Sequence, residues 1–124
     1  MLTPNQIIAH CCAKKKAYID YPFGKEPVCV KVNGRIFAQL YPRTENYKIT
    51  LKCEPLRADD YRRIYPGTVV RGYYCPPAHQ KYWNTVWINR IDEHILLEMI
   101  DHSYEQVIKG FPKKAQADFL HNTD

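Results

Sequence analysis

The order of apolar and polar positions divides the chain into helical and extended segments. Apolar residues recur at helical spacing after residues 3–6 and again over residues 95–111. Residues 3–6 read Thr-Pro-Asn-Gln, a capping box with proline at the first helical position, so they predict where the first helix begins. The lysines at 14–16 are placed in the last turn of that helix, where cations complement its dipole. The later stretch, which ends at Gly110, predicts one long amphipathic helix.

A β-hairpin is predicted in the first half of the chain. Residues 28–32 and 36–41 are rich in β-branched and aromatic residues, and an Asn-Gly pair separates them. Asn-Gly between two such runs is the strongest short-range hairpin signal. With a regular two-residue turn, Val30 lies opposite Phe37, and Ile36 and Leu40 fall on the other face of the sheet from Phe37.

A third strand is predicted from the strict alternation over residues 47–53. Its apolar side chains share one face, and Lys48, Thr50 and Lys52 share the other. We expect the apolar face to pack and the second face to be solvated and basic, as in an antiparallel sheet with one wet side. The remaining predicted elements are a helix over 54–64, a short strand near 69–70, a strand over 82–89 and a tail helix anchored by Phe119 and Leu120.

These elements specify the fold class and the cellular setting. In the order α-β-β-β-α-β-α they predict a single compact α+β domain over residues 1–124, an antiparallel sheet with helices packed on one face. No apolar run is long enough to span a membrane, and the N-terminus lacks the features of a signal peptide. The five cysteines are odd in number and form no CxxC pair, which argues against a disulfide framework. We therefore expect a cytoplasmic monomer with free cysteines and no membrane partner.

Charge is distributed unevenly along the chain. The formal net charge is +5. Residues 1–90 hold fifteen Lys and Arg against six Asp and Glu, a net +9, whereas residues 91–124 hold three against seven, a net −4. A basic body with an acidic end points to a polyanionic partner for the first part of the chain. The alternative is an ordinary mixed surface in solvent.

The sequence lacks the common signatures of catalysis and metal binding. It contains no GxGxxG, GxxxxGKS/T, GxSxG or HExxH motif and no four-ligand zinc spacing. His94, Glu98 and His102 share one side of the last helix, but the neighbouring apolar positions put that side in solvent. We therefore predict a non-catalytic protein with no catalytic, cofactor-binding or metal-binding residues. A cysteine–histidine site assembled in space is the weaker alternative.

Aromatic residues interleave with cations between residues 61 and 87. Ten tyrosines and two tryptophans occur in the chain, and many of them lie in this stretch. Nucleic-acid surfaces combine rings that stack on bases with Lys and Arg that neutralise phosphates, although tyrosine also packs ordinarily at sheet edges. We predict a DNA-binding surface with these candidate residues: Lys48, Lys52, Arg62, Arg63, Arg71, Lys81, Trp83, Asn84 and Trp87.

A second functional hypothesis uses the same aromatic residues differently. The chain could serve as a protein-interaction or small-ligand-binding module in which the Tyr/Trp cluster forms a pocket or a docking patch. Binding of that kind is expected to be insensitive to salt, whereas phosphate contacts make affinity fall steeply as salt rises.

Several short segments together resemble the MmcQ/YjbR family. They are Pro66-Gly67, Gly72-Tyr73, residues 82–86 (Tyr-Trp-Asn-Thr-Val), residues 34–38, residues 49–53 and residues 100–104 (Ile-Asp-His-Ser-Tyr). The resemblance extends from the first helix to Pro112. It implies a frataxin-like α+β domain, described in the family as a double-wing DNA-binding fold, with no agreed catalytic residues and no cofactor. An iron-binding role is not expected, because the first helix ends in lysines and lacks acids.

Overall fold

The computed structural model describes residues 1–73 and 75–120, which form one sheet with helices on one side of it. The α-helices of this part of the chain are α1 (Pro4–Cys12), α2 (Pro55–Ile64), α3 (Glu93–Lys109) and α4 (Lys113–Leu120). Its strands are β1 (Ala17–Asp20), β2 (Val28–Val32), β3 (Arg35–Tyr41), β4 (Lys48–Lys52), β5 (Val69–Arg71) and β6 (Trp83–Trp87). Short 3-10 turns occupy Thr44–Asn46, Pro77–Tyr82 and Ile88–Arg90.

The six strands are antiparallel throughout and lie in the order β1-β2-β3-β4-β6-β5. Helices α1 and α3 pack on β1 to β4, and α2 packs beside β5, so the predicted α+β class with one helical layer is confirmed. Strand β1 was not predicted, because its four residues carry no clear alternation. No helix among the described residues is both long and apolar enough to cross a bilayer.

Helix boundaries follow the capping signals of the sequence. Thr3 Oγ1 accepts from the backbone N–H of Gln6 at 3.2 Å, and Gln6 Oε1 accepts from that of Thr3 at 2.9 Å, which completes the predicted capping box. The prediction that the lysines at 14–16 lie in the last turn of α1 was wrong, because α1 ends at Cys12. Lys14 pairs with Asp101 on α3 instead, so its charge stabilises a contact between helices rather than a helix dipole.

The hairpin of β2 and β3 has the predicted turn but a different register. Asn33 and Gly34 both have positive φ, as a tight hairpin turn requires. A bulge follows, so that Val30 pairs with Ala38 rather than with Phe37. The extra residue turns Leu40 toward the helices, where it is buried, so the prediction that Leu40 lies on the other face from Phe37 was wrong.

Helix α3 supplies partners for two backbone groups that lie just beyond the last pair of the ladder between β3 and β4. Ser103 is fully buried, and its hydroxyl donates to the carbonyl of Phe37 at 2.5 Å while accepting from the N–H of Lys52 at 2.8 Å. One side chain thus joins β3 to β4 where their ladder ends. The next residue, Tyr104, donates its hydroxyl hydrogen to the carbonyl of Lys15 at 2.7 Å and fixes the turn after α1.

Asp101 and His102, the two residues before Ser103 in α3, contact α1 and the start of α2. Asp101 lies 2.8 Å from His10 Nε2 on α1. His102 Nε2 accepts from the backbone N–H of Glu54 at 3.1 Å, and the guanidinium of Arg57 lies 3.0 Å from its Nδ1. Burial and the nearby Arg57 charge lower the pKa of His102 below its usual range. Four consecutive residues therefore tie α3 to α1, the start of α2, two central strands and the turn after α1.

The tail helix after Pro112 is confirmed. Its Phe119 ring lies 5.6 Å from that of Phe111, and the ammonium of Lys16 lies over the Phe119 ring at 5.4 Å. Phe119 is thus the anchor that the sequence predicted. The side chain of Leu120, the second predicted anchor, lies outside the described residues.

Candidate functional site

The face of the sheet opposite α1 and α3 carries most of the polar and aromatic residues of the strands. We call it the second face. Its side chains alternate with the core positions along each strand, as the registers of β2, β3, β4 and β6 require. They include Lys31, Ile36, Gln39, Tyr41, Lys48, Thr50, Lys52, Trp83, Thr85 and Trp87.

One half of the second face encloses a lysine rather than exposing it. The side chain of Lys48 is 1% exposed, so the prediction of a solvated Lys48 was wrong. Its ammonium lies 4.4 Å from the ring centre of Tyr41, 5.2 Å from that of Tyr73 and 5.3 Å from that of Trp87. Aromatic faces attract a cation electrostatically, and burial lowers the pKa of Lys48. We call Lys48 and these three rings the Lys48 box.

Hydrogen bonds under Tyr73 explain why this half is covered. The hydroxyls of Thr50 and Thr85 lie 2.8 Å apart, and both residues are fully buried. Thr85 Oγ1 also accepts from the backbone N–H of Tyr73 at 2.9 Å, which draws the loop after β5 across the strands. The Tyr73 ring then meets Trp87 edge-on at 6.3 Å. Thr50 is therefore buried as well, contrary to the alternation-based prediction of a wet face.

The other half of the second face borders an open cleft of about 460 Å³, which continues around the hairpin end of the sheet to Arg35 and to Val107 on α3. We call it the cationic cleft. Three cations and no carboxylate occur among its described lining residues. The loop before β2 forms one wall with Phe23, whose side chain is 64% exposed. The lining residues that carry charge or a large apolar surface are Phe23, Lys31, Arg35, Ile36, Lys52 and Trp83.

The charges of the cationic cleft are unevenly neutralised. Lys31 Nζ lies 2.7 Å from Asp20, and this hydrogen bond raises the pKa of Lys31. Lys52 is half-buried, and burial together with the nearby Arg35 charge lowers its pKa. Neither Arg35 nor Lys52 makes an ion pair within residues 1–73 and 75–120. An anion bound between them would relieve their repulsion, so the cleft favours anionic ligands.

The structure separates the nine predicted site residues. Lys52 and Trp83 line the cationic cleft, whereas Lys48 and Trp87 belong to the Lys48 box. Arg63 is exposed and pairs with Asp60 on α2. Arg71 is exposed at the end of β5, and Lys81 lies beside the Tyr82 ring at 5.1 Å.

Asn84 and Arg62 have a structural role on the helical side. Asn84 is buried, and its Nδ2 donates to the carbonyl of Ala58 in α2 at 3.2 Å. Its Oδ1 accepts from Arg62 at 2.5 Å, and Arg62 also bonds Asp59 at 2.9 Å. These contacts fasten α2 to β6, so Asn84 cannot reach a base without unpacking the helix.

The aromatic residues predicted to form one cluster are divided among separate places. Tyr61 and Tyr65 pair along α2 at 6.4 Å, and Tyr73 pairs with Trp87 at 6.3 Å. The Trp83 ring, by contrast, lies at the cationic cleft. A single aromatic surface of the predicted kind is therefore absent from the part of the chain that the structure describes.

Metal-binding groups do not converge either. No group of three or more His, Cys, Asp or Glu among the described residues could hold a metal ion. His94 and Glu98 are exposed, as predicted, but His102 is half-buried because it contacts the start of α2. The five cysteines are free. Burial raises the pKa of Cys11 to about 12 and that of Cys53 to about 11, so these thiols are poor nucleophiles.

Three residues of the cleft were missed by sequence reasoning. Lys31 is the polar position of an otherwise apolar β2, and Arg35 follows the hairpin turn, so both carried a weak signal of exposure. Phe23 lies in a loop for which the sequence offers no partner. These residues meet Lys52 only through the order of strands in the sheet, which local patterns do not specify.

Comparison with known proteins identifies the family. A sequence model of the YjbR family matches residues 12–106. The chain belongs to the YjbR family. This YjbR protein is similar to "Uncharacterized protein YbdF" of Escherichia coli O157:H7, with 30% identity over 97 residues that cover 77% of this chain and 76% of the relative.

Solved structures share the YjbR fold. Deinococcus radiodurans protein DR2400, described as a DUF419 domain, superposes with a TM-score of 0.85 at 24% identity, covering 96% of this chain and 88% of its own. A Pseudomonas syringae protein superposes with a TM-score of 0.69 at 19% identity, covering 85% of this chain and 98% of its own. At these identities the likeness establishes the fold of this YjbR chain.

Proposed function

We propose that this protein is a non-catalytic DNA-binding domain that holds phosphates in the cationic cleft. The carrying observation is that Lys31, Arg35 and Lys52 converge on one concavity that also presents the rings of Phe23 and Trp83. Cations neutralise phosphates, and half-exposed rings stack on bases. A concave surface with both features matches the chemistry of a nucleotide chain.

Only some of the DNA-contacting residues predicted from the sequence remain direct contacts. Lys52 and Trp83 remain direct contacts, and Lys31, Arg35 and Phe23 join them. Lys48, Asn84 and Trp87 are no longer direct contacts, because Lys48 and Asn84 are buried and the Trp87 ring lies against Lys48 outside the cleft. The exposed cations Arg63, Arg71 and Lys81, with the half-buried Arg62, contribute to the positive field that attracts a polyanion.

The family resemblance supports the same assignment by analogy. It carries a double-wing DNA-binding description and a frataxin-like architecture, both of which are expectations for this chain. The free cysteines support a reducing compartment. We therefore place the protein in the cytoplasm as a monomer that binds DNA without a cofactor.

Fluorescence anisotropy tests the proposal. Labelled single-stranded and duplex DNA are titrated with the protein at low and at physiological salt, and affinity is expected to fall as salt rises. Lys52→Ala should weaken binding and reduce the slope of log affinity against log salt by about one, the contribution of one phosphate contact. Arg63→Ala is the matched control, because Arg63 is an exposed cation already paired with Asp60 on α2.

Two outcomes would contradict this assignment. Absence of binding by micromolar protein at low salt would refute it. Equal effects of Lys52→Ala and Arg63→Ala would show that binding depends on the overall positive charge of the protein rather than on contacts in the cleft.

A small anionic ligand is the second candidate function. The cleft volume of about 460 Å³ lies within the range of small-molecule sites, about 300–1,000 Å³. If the natural ligand is a single nucleotide, it should compete with oligonucleotides at equal or lower concentration. A mononucleotide that competes only weakly would favour the longer DNA chain.

A further inference from the structure

We infer that the DNA held in the cationic cleft is single-stranded and runs across the strands of the sheet, from Trp83 on β6 to Tyr18 on β1. This inference rests on the proposed function and specifies its ligand. It is carried by a row of side chains on the second face that continues beyond the cleft.

Strand registers define the two ends of the row, and the cleft that both Ile36 and Lys52 line joins them. Tyr18 pairs with Lys31, and Lys31 pairs with Ile36 on β3. Lys52 pairs with Trp83 at the other side of the cleft. Because paired residues project to the same face, an aromatic ring stands at each end of the row, with two lysines and an apolar residue between them.

The two end rings are accessible in different degrees. Tyr18 is 44% exposed on the edge strand, and Trp83 is half-buried with one side open to the cleft. Phe23 rises beside the middle of the row. Lys31 is partly neutralised by Asp20, so the strongest phosphate contacts are expected nearer Lys52.

The length of the row suits a short oligonucleotide. Four strand spacings of about 4.8 Å separate β1 from β6, a span of about 19 Å. At about 3.4 Å per stacked nucleotide this accommodates about six nucleotides, and fewer if the strand is extended. The site length is thus within the range of known single-strand grooves, about 4–16 nucleotides.

Duplex DNA cannot use these rings in the same way. In a duplex each base is covered on both faces by its neighbours, and only base edges appear in the grooves. Stacking on Trp83 or Tyr18 needs an exposed base face, which a single strand offers without the cost of unpairing. The row therefore favours single strands over duplexes carrying the same number of phosphates.

The first test compares thymidine oligonucleotides with a duplex of equal phosphate number. Single strands should bind at least about fivefold more tightly, since one stacked base is worth about 1–3 kcal/mol. Affinity should rise steeply up to the site length and only weakly beyond it. Equal or tighter salt-dependent binding of the duplex would overturn this inference and leave the proposed function standing. Absence of binding to either would overturn both.

A matched pair of variants at Tyr18 tests stacking at an exposed position. Tyr18→Phe keeps the ring and should keep the affinity for single strands. Tyr18→Leu keeps apolar bulk without the ring face and should weaken binding about 5- to 150-fold, the equivalent of one stacked base. Tyr82→Leu is the control, because Tyr82 is also an exposed ring, at 37%, but does not belong to the row. Equal effects of Tyr18→Phe and Tyr18→Leu would contradict stacking.

Tryptophan fluorescence tests the other end of the row. The chain has two tryptophans, so Trp87→Phe leaves Trp83 as the reporter and keeps a ring over Lys48. Oligonucleotide should quench this variant and should leave Trp83→Phe, which reports on Trp87, almost unchanged. Quenching confined to Trp87 would show that the strand passes over the Lys48 box and would overturn the inferred path.

Discussion

Replacing Ser103 with alanine should lower the free energy of unfolding by more than the removal of one oxygen atom would suggest. The hydroxyl satisfies two backbone groups at once, the carbonyl of Phe37 at 2.5 Å and the N–H of Lys52 at 2.8 Å. Both groups lie just beyond the last pair of the ladder between β3 and β4, next to the bulge that interrupts the pairing of β2 with β3. Ser103→Ala leaves them without a partner in a site where Ser103 itself has no solvent exposure.

The magnitude follows from the number of orphaned groups. A buried donor or acceptor left unsatisfied costs about 1–3 kcal/mol, so two groups cost about 2–6 kcal/mol. The lower value applies if water reaches the N–H of Lys52, which is only partly buried. Against a total stability of about 5–15 kcal/mol this is a large fraction. A loss of about 3–5 °C per kcal/mol is expected for a chain of this length, so Tm should fall by about 6–30 °C.

Urea denaturation followed by circular dichroism measures this loss directly. The control is Glu105→Ala, an exposed position on the same helix, which should change the free energy of unfolding by less than about 0.5 kcal/mol. Ser103→Cys should fall between the two, because a thiol is a weaker donor and acceptor. If Ser103→Ala lost no more than the control, the hydroxyl would not be supporting the bulge.

Three further results are expected. The pKa of His102 is lowered in the folded protein, so the unfolded state binds a proton first and wild-type stability falls as the pH drops below 6.5. His102→Gln should therefore flatten the pH dependence of stability in this range. Urea melts at several pH values whose slope with pH is the same in wild type and variant would contradict this. Lys48→Met should change the free energy of unfolding by less than about 1 kcal/mol, because the stability lost with the cation–ring contacts is offset by the stability gained when a buried charge is removed. Lys48→Glu should lower the free energy of unfolding by more than about 3 kcal/mol in the same melts. Alkylation of the folded protein should reach the half-buried Cys12 and Cys75 well before Cys11, as tandem mass spectrometry would show, because fragmentation distinguishes the adjacent Cys11 and Cys12. Equal rates would argue against burial of Cys11.

Local sequence signals were enough to predict the helices and most strands. The capping box around Thr3, the apolar periodicity of α3 and the Asn-Gly turn depend on neighbours within a few residues, so the local sequence encodes them. The bulge at Phe37 was missed because its advantage, the burial of Leu40 together with Phe37, appears only once helices cover the sheet.

The candidate site was harder to predict because its parts come from distant segments. Alternation placed Lys48 and Lys52 correctly on one face but gave them the same environment. Tyr73, which covers Lys48, arrives from a loop 25 residues later in the chain. The partners of Lys52 in the cleft, Arg35 and Phe23, come from the hairpin and from an earlier loop. The tertiary structure therefore determines which cations remain accessible to a ligand.

The contacts of Asp101 to Tyr104 have a consequence for how relatives of this chain are recognised. These residues touch α1, the start of α2, two central strands and the turn after α1. A substitution at any of them requires an adjustment in a distant segment, so we expect this run to diverge slowly for architectural reasons. A search that finds it in another genome therefore reports common descent and shape. Whether that relative shares a ligand has to be judged from the equivalents of Lys52, Trp83 and Tyr18, which are free to vary without disturbing the helices.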